Sequence, residues 1–171
     1  GLSERAKLES APYDLRDPSC TPPLLKNVGE ENLVRQLGNP VRVLTSGAEE
    51  FADQPFFAAG RWRMLRRVPW WGHYEGPLVV MGHYWRRTPA MGPPTPSQER
   101  GIFEHEHPFD PMGAGNAFCV DYSVGRRYAE RLDGLTPFQA QLGALRLPAE
   151  GQAAPVTLQL GTQVHTVKLQ R

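Results

Sequence analysis

One histidine of this chain follows directly after an apolar run and could act as a metal ligand. The segment Gly76–His83 contains four consecutive apolar residues, and its Gly82 comes just before His83. Short apolar runs bounded by Gly and Pro are typical of strands that are buried on both faces. In α/β folds ligands collect at the carboxyl ends of strands, where an imidazole can meet a metal ion. A capping or core histidine is an equally good interpretation of the Gly-His pair alone.

The other histidines offer weaker patterns. His105 and His107 alternate as two residues on one face of a strand would, which makes a metal pair conceivable. They lie between the Pro- and Gly-rich segment 88–101 and Pro108, however, without a third ligand at a suitable spacing. We therefore expect this pair to lie in a solvated loop.

Arginine and tryptophan alternate with apolar residues over residues 61–71. Such a segment could contact nucleic acid, because Arg neutralises phosphate groups and Trp stacks on bases. The same pattern is typical of an amphipathic element that buries Trp and Met while the Arg stems reach water. The whole chain has 19 Lys and Arg against 18 Asp and Glu, so the amphipathic interpretation is favoured and no nucleic-acid partner is expected.

Composition narrows the class of protein. A length of 171 residues fits one domain, and no apolar run is long enough to span a bilayer, so no membrane partner is expected. The 2 cysteines are too few for a disulfide scaffold and are typical of a reducing compartment, which predicts a cytoplasmic protein. With 17 Gly and 17 Pro, the chain should have short elements and long ordered loops.

The order of patterns predicts an α/β fold. Residues 1–23 are polar and end in paired prolines, which indicates a flexible N-terminal arm, and residues 24–171 should form a single α/β domain. The alternation after Pro155 predicts a C-terminal β-hairpin over residues 155–169. The remaining predicted elements are a helix near 30–37, a strand or helix start at 41–45, a strand at 117–123, a helical turn at 126–132 and a strand at 141–147.

Three ordered segments carry a resemblance to a known family. They are Leu78–Arg86, Asn116–Gly125 and Leu142–Pro148. As a set they resemble the C-terminal half of calcineurin-like metallophosphoesterases, in the bacterial branch near phosphoprotein phosphatases and diadenosine tetraphosphatases. The similarity extends over roughly residues 30–150. It implies a metallophosphoesterase-type β-sandwich flanked by helices, of which this chain would be the C-terminal portion.

The resemblance also implies a function. A complete enzyme of this kind hydrolyses a phosphate ester with a metal-activated water, using two divalent ions of the Mn, Fe, Zn or Mg class. His83 would ligate one of the two metals. Arg86 or Arg87 could approach the substrate phosphate with a bidentate fork, and a solvated surface position is an equally good interpretation of either arginine. Asp121 would be structural, forming hydrogen bonds near the site.

The other metal motifs of that family are missing from this sequence. No aspartate has a histidine two positions later, and neither Gly38-Asn39 nor Gly115-Asn116 is followed by histidine. Together with the start at Gly1, this predicts that the isolated chain holds no metal and that a missing N-terminal half or another chain completes the site. The alternative is a non-catalytic interaction or scaffold protein in which the Gly-His pair is a relic.

Overall fold

The chain forms two compact units, Gly1–Val68 and Pro69–Arg171. The structure is a computed structural model, and it describes residues 1–92, 101–150 and 152–168. Both units combine helices or helical turns with small sheets, so the chain is mixed α/β as predicted. The boundary at Val68 lies inside the segment 24–171, which the sequence analysis treats as one domain.

The first unit contains three helices and a β-hairpin. Its helices are α1 (Leu2–Ser10), α2 (Lys26–Leu37) and α3 (Pro40–Ser46). The strands β1 (Glu49–Ala58) and β2 (Arg61–Arg67) pair antiparallel. On β2 the apolar Met64 and Leu65 are buried while Arg66 is exposed, as expected for an amphipathic element.

The N-terminal segment, for which the sequence predicts a flexible arm over residues 1–23, contains helix α1. The carboxylate of Glu9, on α1, accepts the backbone N–H groups of Asn27 and Val28 at 2.7 and 3.1 Å. These are first-turn N–H groups of α2, and the N-cap residue Leu25 has no side chain that could bind them. Glu9 thus explains why α2 begins at Lys26, several residues before the predicted helix.

The described part of the second unit, residues 69–92, 101–150 and 152–168, is built on two sheets. Strand β3 (Val79–Met81) pairs parallel with β4 (Ala117–Cys119). An antiparallel sheet has the order β5-β6-β7-β8. Its strands are Asp121–Tyr122, Gln141–Arg146, Val156–Leu160 and Gln163–Val167, and α4 (Arg127–Leu132) lies between β5 and β6 in the chain. The C-terminal hairpin is confirmed as β7–β8, although residue 169 of its predicted range lies outside the described residues.

The strand that is buried on both faces is β4, not β3. Val80 in β3 is 44% exposed, whereas all three residues of β4 are buried. Ala117 and Cys119 pack in one apolar cluster with Trp71, and Phe118 packs in a second cluster with Leu158 of the antiparallel sheet. The four apolar residues at 78–81 therefore predicted a strand correctly but gave the wrong burial, because β3 pairs only with β4 among the described strands.

Among the described residues, no helix combines the length and the apolar character that crossing a membrane requires.

A substitution at Gly143 on β6 tests the close packing between the antiparallel strands β5 and β6. A Cβ atom on Gly143 would lie 2.5 Å from the carbonyl oxygen of Val120 and 2.6 Å from the Tyr122 ring. We expect Gly143→Ala to lower the free energy of unfolding by about 1–3 kcal/mol, since the backbone must move to accept a methyl group. Urea unfolding measures the change.

Gly125→Ala is the matched control, because no atom lies within 4 Å of a Cβ built there. It should leave the free energy of unfolding unchanged or slightly higher. Equal stabilities of the Gly143 variant and the parent would contradict the packing described for β6.

Candidate functional site

His83 lies two residues beyond the end of β3, with an exposed side chain. Its backbone is left-handed, with φ of 71°. A residue with a side chain adopts this conformation at a cost of about 1–2 kcal/mol, so the surrounding structure must hold it. The imidazole packs edge-on against the ring of Tyr84, with centroids 5.8 Å apart. The predicted position at a strand end is thus observed, although the strand is not a buried central one.

Asp121 supplies the bonds that hold the His83 backbone. Its Oδ2 accepts the N–H of His83 at 3.0 Å, and its carbonyl oxygen accepts the N–H of Arg86 at 2.8 Å. Asp121 begins β5, directly after the chain leaves β4, so its carboxylate lies near the carboxyl ends of both parallel strands. Asp121, expected to form hydrogen bonds near the site, thus binds the backbone of the residue that the resemblance implies as a metal ligand.

Arg86, predicted to contact substrate phosphate, is instead buried in the interior, with 1% of its surface exposed. One terminal nitrogen, Nη2, donates to the carbonyl oxygens of His107 and Asp110. The guanidinium carbon lies 5.5 Å from the centroid of the Phe103 ring and 5.3 Å from that of Phe118. The guanidinium therefore fixes the backbone of the 107–110 loop and is not available to a phosphate group.

Burial shifts the pKa values of two side chains in this interior, Arg86 and Tyr122. Desolvation lowers the pKa of Arg86, and nearby Tyr122 and Cys119 partly oppose that shift. Desolvation raises the pKa of Tyr122 to about 12, so its hydroxyl stays neutral at physiological pH. That hydroxyl donates to the carbonyl oxygen of Pro108 at 2.7 Å. Arg86 and Tyr122 thus bind the same loop through its carbonyl groups.

Arg87, the second predicted phosphate contact, is half-buried. Its Nη2 donates to the carbonyl oxygens of Met91 and Gly92 at 2.9 and 3.1 Å. Both adjacent arginines therefore make hydrogen bonds to the backbone of this unit.

His105 and His107 lie in an irregular segment, as predicted, and both are exposed. His107 Nδ1 lies 3.3 Å from Asp110 Oδ2. Across the described residues, no group of three or more His, Cys, Asp or Glu side chains is placed to hold a metal ion. Neither His83 nor the 105/107 pair therefore belongs to a three-ligand cluster in the part of the chain that the structure describes.

The chain was also compared with known proteins. No family model, curated protein or solved structure matches it. The assignment of a function therefore rests on the geometry of this chain and on the resemblance of its three segments.

A cavity of about 780 Å³ lies beside the segment that leads into β3, away from the strand end that carries His83. Its walls include Pro77, Leu78 and Val156, with the charged Glu75 and Lys168 among the lining residues. His83, Arg86 and Arg87 are not among the residues that line it.

Sequence reasoning missed the structural role of Arg86. The adjacent arginines at 86 and 87 look equivalent in the sequence, yet one is buried and the other half-buried. Tyr84 and Arg86 are buried, and Trp85 between them is 74% exposed. In β3, however, Val79 and Met81 are less exposed than Val80, so the alternation of the strand, continued past Gly82, would have placed Arg86 outside. The buried side changes between Met81 and Tyr84, where His83 has its left-handed backbone.

Arg86→Met tests the buried guanidinium. Methionine retains most of the apolar stem but leaves the carbonyl groups of His107 and Asp110 without their donor, so we expect the free energy of unfolding to fall by about 2 kcal/mol or more. Chemical denaturation of variant and parent measures the difference. Arg146→Met, at an exposed position on β6, should change stability by less than about 0.5 kcal/mol. Equal stabilities of the Arg86 variant and the parent would exclude the proposed anchoring role.

Proposed function

We propose that this chain is part of a metal-dependent phosphoesterase, with a metallophosphoesterase-type β-sandwich, and that His83 is one of its metal ligands. The observation that supports the proposal is the position of His83. An exposed imidazole on a left-handed backbone follows one strand of a parallel pair, and the carboxylate of Asp121 follows the other strand. Strained backbone and ligand-binding groups both concentrate at functional sites, and the carboxyl ends of parallel strands are where ligands bind in open α/β sheets.

His83 alone cannot form the site. A stable site for a divalent ion typically takes about three or four protein ligands. We propose that the other ligands come from residues outside this sequence, in a preceding part of the same protein or in another chain. Two divalent ions bound there would activate a water molecule for attack on phosphorus and neutralise charge in the transition state.

The side chains of this unit have separate tasks in this proposal. His83 offers an imidazole nitrogen to one metal ion. Arg86 is removed from the set of substrate contacts, because its guanidinium is buried and bound to carbonyl groups. Arg87, half-buried at the surface of the same segment, keeps its proposed role beside the substrate phosphate.

The isolated 171-residue chain should show no appreciable phosphatase activity and should retain little metal after dialysis. The reason is the small number of ligands that the described residues bring together. The measurement is hydrolysis of p-nitrophenyl phosphate with Mn²⁺, Mg²⁺ or Zn²⁺, together with metal analysis of the dialysed protein. Robust metal-dependent turnover by the pure chain would show that the ligands lie within this sequence.

The role of His83 is tested with the protein that the complete reading frame of the gene encodes. In this purified protein, His83→Ala should lower kcat by about 100-fold or more, since loss of a ligand displaces the attacking water. The bound metal should fall at the same time, while the unfolding midpoint should stay near that of the parent because His83 is exposed.

His105→Ala and His107→Ala are the matched controls for the complete product, as both side chains are exposed and lie in the irregular segment. Each should retain activity within about twofold and the full metal content. Equal activity of His83→Ala and the parent would remove the ligand assignment. Loss of metal in either control would move the assignment to that residue.

A non-catalytic interaction protein is the second candidate. The observation that favours it is that Arg86 and Arg87 both bind backbone carbonyls of their own unit, as structural arginines do. This candidate predicts that neither the isolated chain nor the product of the complete reading frame hydrolyses a phosphate ester. The activity measurement on the complete product therefore separates the two candidates.

A further inference from the structure

We infer that Asp121 is a positioning residue for His83 that acts through the backbone of His83. The inference rests on the proposed function only for the identity of the ligand, because the positioning itself is a property of this chain. It assigns to one residue, through its carboxylate and its backbone carbonyl, the conformation of the turn His83–Arg86.

Asp121 binds the backbone of two residues whose conformation is strained. Among the described residues of the second unit, His83 and Ser123 are the non-glycine residues with a left-handed backbone, with φ of 71° and 63°. The carboxylate of Asp121 accepts the N–H of His83 on Oδ2 at 3.0 Å and the N–H of Ser123 on Oδ1 at 2.8 Å. Each carboxylate oxygen thus binds one of the two residues whose backbone needs support.

Asp121 also binds the other end of the turn, at Arg86. The carbonyl oxygen of Asp121 accepts the N–H of Arg86 at 2.8 Å, so Asp121 binds the first and the last residue of the turn His83–Arg86. The Arg86 side chain is then held by the carbonyl groups of His107 and Asp110. Within the turn, the carbonyl oxygen of Tyr84 accepts a hydrogen bond from the Cys119 thiol at 3.0 Å.

Asp121 is itself fixed by the pairing of β5 with β6. It begins β5 and pairs with Leu142 of β6, while the next residue, Tyr122, is fully buried. A carboxylate on a paired strand can therefore impose a conformation on an exposed turn. The exposed imidazole starts from a backbone that is already set before a metal ion arrives, which reduces the ordering cost of binding.

The test compares Asp121→Ala with the parent chain by NMR, without metal. Loss of the charged acceptor should raise the exchange rate of the His83 amide proton by about tenfold or more. The coupling between the amide proton and Hα of His83, which reports φ, should leave its left-handed value. A general structural role would instead change exchange rates throughout the antiparallel sheet β5–β8.

Two further variants make the result specific. Asp121→Asn retains a single acceptor oxygen, so it should slow the hydrogen exchange of the amide of His83 or of Ser123 but not of both. This variant replaces Asp121→Ala in the test if the alanine variant fails to fold. Ser123→Gly removes the strain at residue 123 and keeps its N–H, so exchange at His83 should change by less than about twofold. Parent-like exchange and coupling at His83 in both Asp121 variants would overturn the inference.

The same variants in the product of the complete reading frame connect positioning to activity. Residues that orient a ligand typically contribute about 10- to 100-fold to metal affinity or activity, and we expect a loss of that size for Asp121→Ala. Parent-like metal affinity and kcat in this variant would also overturn the inference. If His83→Ala leaves activity unchanged while the Asp121 variants alter the His83 backbone, the ligand assignment fails and the positioning stands.

Discussion

The second unit depends on a cation in its interior. Arg86 has almost no exposed surface, and within the described residues it forms no ion pair, so its charge is compensated by carbonyl oxygens and aromatic rings. A buried charge without a carboxylate partner is costly, and the buried Nη1 has no hydrogen-bond partner among the residues that the structure describes. The cost is offset because the Arg86 side chain connects the segment after β3 to the loop 107–110 through hydrogen bonds. The same loop is also held by the Tyr122 hydroxyl at Pro108, by the stacking of Phe109 on His165, with centroids 4.1 Å apart, and by the packing of Phe109 against the apolar cluster around Phe118.

Elements that depend on neighbouring residues in the sequence could be predicted. The Gly-Thr turn between two alternating runs predicts the β7–β8 hairpin, and Gly161 at that turn has φ of 57°. The segments 126–132 and 141–147 correspond to α4 and β6 within one residue at each end. The predicted strand at 117–123 contains β4 and β5, which belong to different sheets and are separated at Val120. In each case the hydrophobic period and the turn residues carry the information.

Features that depend on distant residues could not be predicted from the same patterns. The start of α2 is set by Glu9, 18 residues before the amide of Asn27 that it accepts. The exposure of Val80 depends on the number of strands beside β3, and an apolar run of that length does not specify its neighbours. At the candidate site, the Gly-His pattern located a strand end correctly. The left-handed backbone of His83 was not predictable, because it arises from Asp121, 38 residues later in the chain.

That separation has a consequence for the order of folding. The turn at His83 acquires its shape only when a loop of nearly forty residues has closed and β4 has docked beside β3 in parallel register. Closing a loop of that length costs conformational entropy before any contact repays it, whereas the β7–β8 hairpin closes locally. The strand pair that carries the candidate ligand should therefore form after the C-terminal hairpin, and a folding chain would present His83 in its final geometry only after that step.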